Sequence, residues 1–462
     1  MWGSGRSPKH LLKETNGNLD ASNYWVIEMK LFHSLPLISL MRFAARFTLR
    51  DFVNPIARKP ILTFLPLFLL LAFSLIGKEV FGRSDWSRRR LTTKEQGFCL
   101  NFHWSRDSKS ILLLRETKSK RYSVWIVDFA SGKMRKIMED GNYILFSPRW
   151  TSLWSYDSRY IAMIEKEKPI LKIWIVDVRN NQRKLLTENG YDVNSISWSP
   201  RELKLVYTVD KVGYGRTSDY VVYLYDLSLG VSKEIYKGGL ALRFSPDGRF
   251  LLIHSCNTDE KNETRWGLVS VDVETLKTSV LVEKNASGAA DWSPDGKKIA
   301  FHTYPGFEIW LLYLDGGIGG KEKLASNSDW PLFSPDGEYL AFLGYGLSKP
   351  RLDLEVAQDL CVLELKTGKV RQITFNGTCF NVGFNPRRSD LIAYMSLTTS
   401  AQKGKLYLYE LKEGKRFSIS NREISLNING SLNGIWDWSP DGRYIAYIQD
   451  GELWIAGPFI SK

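Results

Sequence analysis

Residues 292–296 read Trp-Ser-Pro-Asp-Gly, and after two lysines the apolar run Ile299-Ala300-Phe301 follows. The chain repeats this phrase eight times: an aromatic residue, Ser or Asn, usually Pro, a turn, and a short run of β-forming residues. Pro presets φ for the first turn position, Asp bonds locally to the backbone, and Gly adopts the left-handed conformation that closes a hairpin. The phrase therefore predicts a tight connection between two strands, not a catalytic motif. The aromatic anchors of the eight copies are Trp104, Trp154, Trp198, Phe244, Trp292, Phe333, Phe384 and Trp438.

Successive anchors lie 41 to 54 residues apart, close to the length of a four-stranded propeller blade. Each repeat continues with further runs of β-branched and aromatic residues, such as residues 124–128 and 172–177, which favour strands. No sustained 3.6-residue apolar period follows residue 90, so an all-β reading is favoured over βαβ units. The sequence predicts a β-propeller of four-stranded blades. The count is eight, and seven remains possible if the less regular unit at Trp154 or Phe384 is a decoration.

These repeats resemble the TolB-like family of propeller repeats, whose core pattern is the same aromatic-Ser-Pro-Asp-Gly turn followed by an Ile-Ala-Phe strand. The resemblance covers about residues 87–462. The copies at Trp104 and Trp154 lack Pro, and those at Trp198 and Phe384 replace Asp-Gly with other residues. The resemblance implies an extracytoplasmic propeller that serves as an interaction module.

The two ends of the propeller region complement each other. The last repeat stops after residues 451–456 and lacks a fourth strand, whereas residues 89–97 resemble the fourth strands at residues 183–190 and 371–377. We therefore expect residues 89–95 to pair with residues 452–456 and to close the last blade, which leaves no open sheet edge in the ring.

A second strong feature is the run of uncharged residues from Ile61 to Gly77, rich in Leu and Phe and preceded by Arg58 and Lys59. Its length fits a short transmembrane helix or a signal segment, and no clear small-residue cleavage site follows it. We predict a single-pass transmembrane or signal-anchor helix over residues 60–77. A basic, partly disordered segment (1–59) would precede it, and a linker (78–86) would lead to the propeller (87–462).

The net charge of +13 is concentrated near this segment, because residues 1–90 carry 14 basic and 6 acidic residues. Basic residues beside a membrane segment set topology or contact anionic lipid, so we predict no nucleic-acid partner. The flanking charges are nearly balanced and do not fix the orientation. Long domains translocate largely regardless of flanking charge, and the family resemblance points the same way. We therefore expect the C-terminal propeller to be periplasmic or extracellular.

Enzyme motifs are missing from the sequence: there is no Gly-x-Ser-x-Gly elbow, His-Glu-x-x-His helix or Gly-x-x-x-x-Gly-Lys-Ser/Thr loop. We predict a non-enzymatic protein without a cofactor. The alternative is a metal-assisted propeller enzyme of the polysaccharide lyase or hydrolase type, using His254 and His302. Each lies ten residues after its anchor, in neighbouring repeats, but no carboxylate shares this offset, so the pair is a weak metal candidate.

Two sets of residues are candidates for binding a protein or peptide partner in the cell envelope. The connections between second and third strands are long in several repeats, and variable loops on a rigid scaffold often carry function. The binding-face candidates on or near these connections are Thr208, Tyr214, Arg216, His254, His302, Tyr345, Arg351 and Asp353. The residues just before the anchors are candidates for lining the central channel, namely His103, Ser197, Arg243, Asp291 and Asp437.

Overall fold

Eight antiparallel sheets follow one another in chain order and form the eight blades of a β-propeller. In this computed structural model, the described residues are 86–117, 119–145, 152–167, 170–186, 192–211, 219–258, 264–314, 319–348, 358–398, 403–425 and 435–459. Each blade contacts the next, and the first contacts the eighth. The structure confirms the prediction of an all-β propeller with four-stranded blades and decides for eight blades over seven.

The strands are numbered in chain order, and the first, β1 (Ser87–Arg90), belongs to the last blade. Blade 1 consists of β2 (Phe98–Trp104), β3 (Ser110–Glu116), β4 (Tyr122–Asp128) and β5 (Met134–Gly141), and blade 2 consists of β6 (Tyr143–Ile144), β7 (Tyr160–Glu167), β8 (Ile170–Asp177) and β9 (Arg183–Leu185). Blade 3 consists of β10 (Asp192–Trp198), β11 (Lys204–Asp210), β12 (Tyr220–Asp226) and β13 (Val231–Lys237), and blade 4 consists of β14 (Gly239–Phe244), β15 (Phe250–Thr258), β16 (Thr264–Asp272) and β17 (Thr278–Val282).

Blade 5 consists of β18 (Ala286–Trp292), β19 (Lys298–Thr303), β20 (Ile309–Tyr313) and β21 (Lys321–Ala325), and blade 6 consists of β22 (Ser328–Phe333), β23 (Tyr339–Tyr345), β24 (Gln358–Glu364) and β25 (Lys369–Gln372). Blade 7 consists of β26 (Cys379–Asn385), β27 (Arg388–Leu397), β28 (Lys403–Glu410), β29 (Lys415–Ser418) and the short β30 (Ile424–Ser425), and blade 8 consists of β31 (Trp436–Trp438), β32 (Ile445–Gln449), β33 (Glu452–Gly457) and β1. A short 3-10 helix lies at Lys94–Gln96.

The repeated phrase forms the turn between the first and second strands of a blade. In blade 6, the Ser334 hydroxyl donates to Asp336 Oδ1 over 2.6 Å and accepts the Tyr339 amide over 2.9 Å. Gly337 closes the turn at φ 74°. In blades 1 and 2, Ser108 and Ser158 adopt the same left-handed conformation in place of Gly. The turn therefore keeps its conformation in these two copies, although their sequences depart from the repeated phrase.

The hydrophobic core lies between the blades. Along β32, Ile445 and Tyr447 pack against blade 7, whereas Ala446 and Ile448 pack against blade 1. Successive side chains of a strand point to opposite faces of its sheet, so a middle strand with a neighbouring blade on each side is apolar throughout. This packing explains why the second strands appear as continuous apolar runs in the sequence. The anchors are buried in the same interfaces.

The ring closes through β1, as the sequence predicts, but in a different register. Ser87 to Arg90 pair antiparallel with Gly457 to Trp454. The expected strand over residues 89–95 is too late, because the chain leaves the sheet after Leu91. Thr92 then turns inward, and its hydroxyl accepts the Leu453 amide over 2.9 Å.

Three consecutive arginines of β1 hold the closing strand to three blades. Arg88 donates to the Ser418 carbonyl of blade 7 over 2.6 Å, and Arg89 donates to the Phe129 carbonyl of blade 1 over 2.8 Å. Arg90 pairs with Glu452 of blade 8 at 3.3 Å. These arginines therefore contribute to the ring itself, in addition to any effect of their charge on membrane topology.

Among the described residues, no helix is both long enough and apolar enough to span a membrane. The transmembrane or signal-anchor segment predicted at residues 60–77 lies outside the described residues, as do the preceding segment 1–59 and most of the linker.

Candidate functional site

The residue before each anchor lines one of two cavities around the central channel, and all of these residues except Leu153 lie on an innermost strand. These eight positions form a ring just below the aromatic-Ser-Pro-Asp-Gly turns. We call this end of the channel the turn-face mouth. In blade order, the ring consists of His103, Leu153, Ser197, Arg243, Asp291, Leu332, Gly383 and Asp437. The structure thus brings together all five channel candidates.

The larger cavity has a volume of about 460 Å³. It is bordered by blades 1, 2, 6, 7 and 8, and most of its lining side chains are apolar, although polar atoms contribute a comparable share of its surface. The apolar groups include Leu153, Leu332 and several turn prolines, whereas the polar side chains are few, among them His103 and Asp437. Such a cavity, with a few polar groups in an apolar wall, is typical of a binding pocket.

His103 is buried in the wall of this cavity. Burial lowers the pKa of its imidazole to about 4, so the side chain is neutral at physiological pH. Within the described residues, its Nε2 has no hydrogen-bond partner, and the same holds for the indole nitrogens of Trp104, Trp198 and Trp292. The three tryptophans border the two cavities, but their indole nitrogens are themselves buried within the protein.

The smaller cavity, of about 220 Å³, contains an ion pair between Arg243 and Asp291. Burial lowers the pKa of the Arg243 guanidinium to about 9, so the arginine is still charged at physiological pH. The other oxygen of Asp291 accepts the Phe333 amide over 2.9 Å. The pair therefore links blades 4, 5 and 6 and leaves no free charge of its own.

Arg106 borders both cavities and was missed by the reading of the sequence. It occupies the turn position that is Pro in six of the eight copies. The side chain is exposed to water, and partial desolvation by the surrounding protein lowers the pKa of its guanidinium. It makes no ion pair or hydrogen bond with any described residue. The missing Pro in the Trp104 copy is the signal that could have identified it.

Thr208 lies inside the protein, between blades 3 and 4. Its hydroxyl accepts the Ala241 amide over 3.1 Å and is hydrogen-bonded to Ser195 at 2.8 Å. Because the residue is 0% exposed, it is not available to a partner. The prediction that Thr208 belongs to the binding face is therefore wrong, and the residue instead joins blades 3 and 4.

His254 and His302 lie on either side of the bulged inner strand of blade 5. His254 Nε2 is 3.0 Å from the Ala286 carbonyl, and its ring stacks on Trp266. His302 bonds to the backbone of Ala289, and its Nδ1 has no partner within the described residues. Burial, with smaller effects from His254 and this bond, brings the pKa of His302 to about 4. Each ring thus uses one nitrogen to hold the main chain.

Tyr345 lies at the end of a second strand, where its hydroxyl donates to the buried Asp329 carboxyl. Burial raises the pKa of Asp329 to about 7, and the Tyr345 bond partly opposes this shift. Phe307 packs edge-on against Tyr345, with 5.4 Å between ring centroids. The remaining binding-face candidates, Tyr214, Arg216, Arg351 and Asp353, lie outside the described residues.

A metal centre is not formed by the groups that the structure describes. Among these residues, no cluster of three or more His, Cys, Asp or Glu side chains could hold a metal ion. His254 and His302 would therefore need ligands from elsewhere to form such a site.

Comparison with solved structures finds many propellers of similar fold. Oligogalacturonate lyase in complex with manganese is 16% identical, with 78% of this chain and 98% of that chain covered and a TM-score of 0.51. The Dos1 propeller is 11% identical, with 81% and 95% covered and a TM-score of 0.51. Dipeptidyl peptidase 4 of Porphyromonas gingivalis is 12% identical, with 78% and 56% covered and a TM-score of 0.51. At these identities, the likeness concerns the fold alone.

Comparison with curated protein sequences finds no significant match. The family model of the TolB beta propeller domain (PD40) matches residues 83–327, more than half of the chain. This match agrees with the turn phrase, the blade length and the ring. The chain belongs to the TolB beta propeller domain family.

Proposed function

We propose that this protein is a binding or scaffold module of the cell envelope that takes a protein or peptide partner at the turn-face mouth. The main support for this proposal is the larger cavity, because its lining combines apolar side chains with a few polar ones at the centre of the ring. Membership of a family of interaction modules supports a protein partner. The proposal gives the propeller no catalytic role.

The location that we propose is extracytoplasmic, with residues 60–77 as the membrane anchor. The apolar run and the basic residues around it support the anchor, and the family supports the side. A reporter that is active only outside the cytoplasm, fused after the last residue, should be active. If this reporter is silent and a reporter that works only in the cytoplasm is active at the same position, the propeller lies on the cytoplasmic side.

The metal-assisted alternative at His254 and His302 is weaker, because each ring holds a main-chain group. It would also require ligands beyond the groups described. Metal analysis of the purified full-length protein tests it directly. A stoichiometric divalent metal that is lost in the double variant His254→Ala/His302→Ala would favour the enzyme.

Affinity capture of the full-length protein from envelope extracts tests the proposed site with two matched variants. Leu332→Arg places a bulky charge at the mouth, whereas Leu347→Arg places the same residue on an exposed loop between second and third strands of the same blade. We expect a stoichiometric protein partner to be lost only with Leu332→Arg, provided that both variants remain folded by circular dichroism. Loss only with Leu347→Arg would move the site to the opposite face.

A further inference from the structure

Arg106 is a charged group for which the described fold provides no partner. Its side chain is exposed to water in the mouth, and the same turn position is Pro in six other copies. The side chain stands between the two cavities of the mouth. Its position makes it available to a ligand that enters from the turn face.

We propose that the turn-face mouth recognises a carboxylate of an acidic peptide segment through Arg106. The inference rests on the proposed function and specifies the chemistry of the partner. A guanidinium presents paired N–H donors that match the two oxygens of a carboxylate.

The lining favours a peptide over a sugar as the carrier of the carboxylate. A uronic acid chain brings several hydroxyls, each of which needs a hydrogen-bonding partner once water is removed. The larger cavity provides few polar side chains beside Arg106, whereas Leu153, Leu332 and the turn prolines offer apolar contact. An acidic residue with apolar neighbours matches this distribution.

The charges that face Arg106 define a sharp control. Arg243 and Asp291 neutralise each other in the smaller cavity. Asp437, on the adjoining blade 8, also lines the larger cavity, where its carboxylate would repel a bound anion. Replacing Asp437 by Asn should therefore strengthen the binding of a carboxylate by about two- to fivefold, whereas it should weaken the binding of a cation.

The first experiment measures the reaction of Arg106 with phenylglyoxal in the full-length protein by peptide mass spectrometry. The probe is the capped peptide acetyl-Gly-Glu-Gly-amide, and its uncharged twin contains Gln in place of Glu. We expect only the Glu peptide to slow the modification of Arg106, saturably and at lower concentration in Asp437→Asn. The exposed Arg179, which borders neither cavity, should react unchanged. Equal protection by both peptides, or by neither, overturns the inference.

The second experiment separates this inference from the proposed function. Arg106→Gln should lower the affinity for the captured partner about tenfold or more, and Arg106→Lys should restore part of it, because loss of a charge-assisted pair has this size. A partner that is lost with Leu332→Arg but unaffected by Arg106→Gln would leave the mouth as the site and overturn carboxylate recognition. Stronger protection of Arg106 by digalacturonate than by the Glu peptide would overturn the assignment to a peptide.

Discussion

Replacing Thr92 by Val should weaken the closure of the ring without changing the shape of the side chain. Thr92 is 1% exposed, and its hydroxyl is the acceptor for the amide of Leu453, a residue in the last blade that is 0% exposed. Val fills the same space but leaves this amide buried without an acceptor. The cost of such a group is about 1–3 kcal/mol. We expect the free energy of unfolding to fall by this amount.

Two measurements on the full-length protein test this expectation. Urea denaturation gives the change in stability, and hydrogen exchange at the Leu453 amide should become about 5- to 150-fold faster if closure opens locally. Thr92→Ser keeps the hydroxyl and should retain most of the protection. Thr367→Val, on an exposed turn, should change stability by less than about 0.5 kcal/mol. If Thr92→Val leaves both stability and Leu453 exchange unchanged, Thr92 does not hold the ring closed.

Three further predictions concern buried polar groups. In the wild type, stability should fall as pH rises from about 4 to about 7, because the folded state holds the proton of Asp329 up to a pKa of about 7. Asp329→Asn should remove this fall, and denaturation across this pH range measures it. His254→Ala/His302→Ala should destabilise the protein by about 2–4 kcal/mol, because main-chain carbonyls lose their donors, and should leave its metal content unchanged. Arg243→Met should cost about 3–5 kcal/mol by leaving Asp291 unpaired, and adding Asp291→Asn should restore part of this loss in the same denaturation assay.

Each of these predictions has a clear contrary result. A parallel pH profile for wild type and Asp329→Asn would show that this carboxyl titrates normally. Unchanged stability of the histidine double variant would remove its structural role. A double variant at Arg243 and Asp291 no more stable than Arg243→Met would mean that an unpaired buried charge is not the cause of the loss.

The sequence predicted the propeller and the number of blades because both rest on local chemistry. The turn phrase specifies a hairpin within a few residues, and its recurrence counts the blades. The missing fourth strand of the last repeat also predicted closure. Its register was not predictable, because it depends on where Thr92 meets Leu453, 361 positions away in the chain.

The candidate site was likewise predictable from the sequence only in part. Position within the repeat was enough to place His103 and Asp437 on the channel, since equivalent positions face the same direction in every blade. The hydrogen-bond partners of the side chains were not predictable, because the sequence of one repeat does not show which groups of the next blade lie against it. Thr208 and His254 looked like surface residues, yet each bonds to the backbone of the next blade. Sequence by itself determined the strands, turns and blades, while only the packing of neighbouring blades decided which polar groups are satisfied and which, like Arg106, remain open to a ligand.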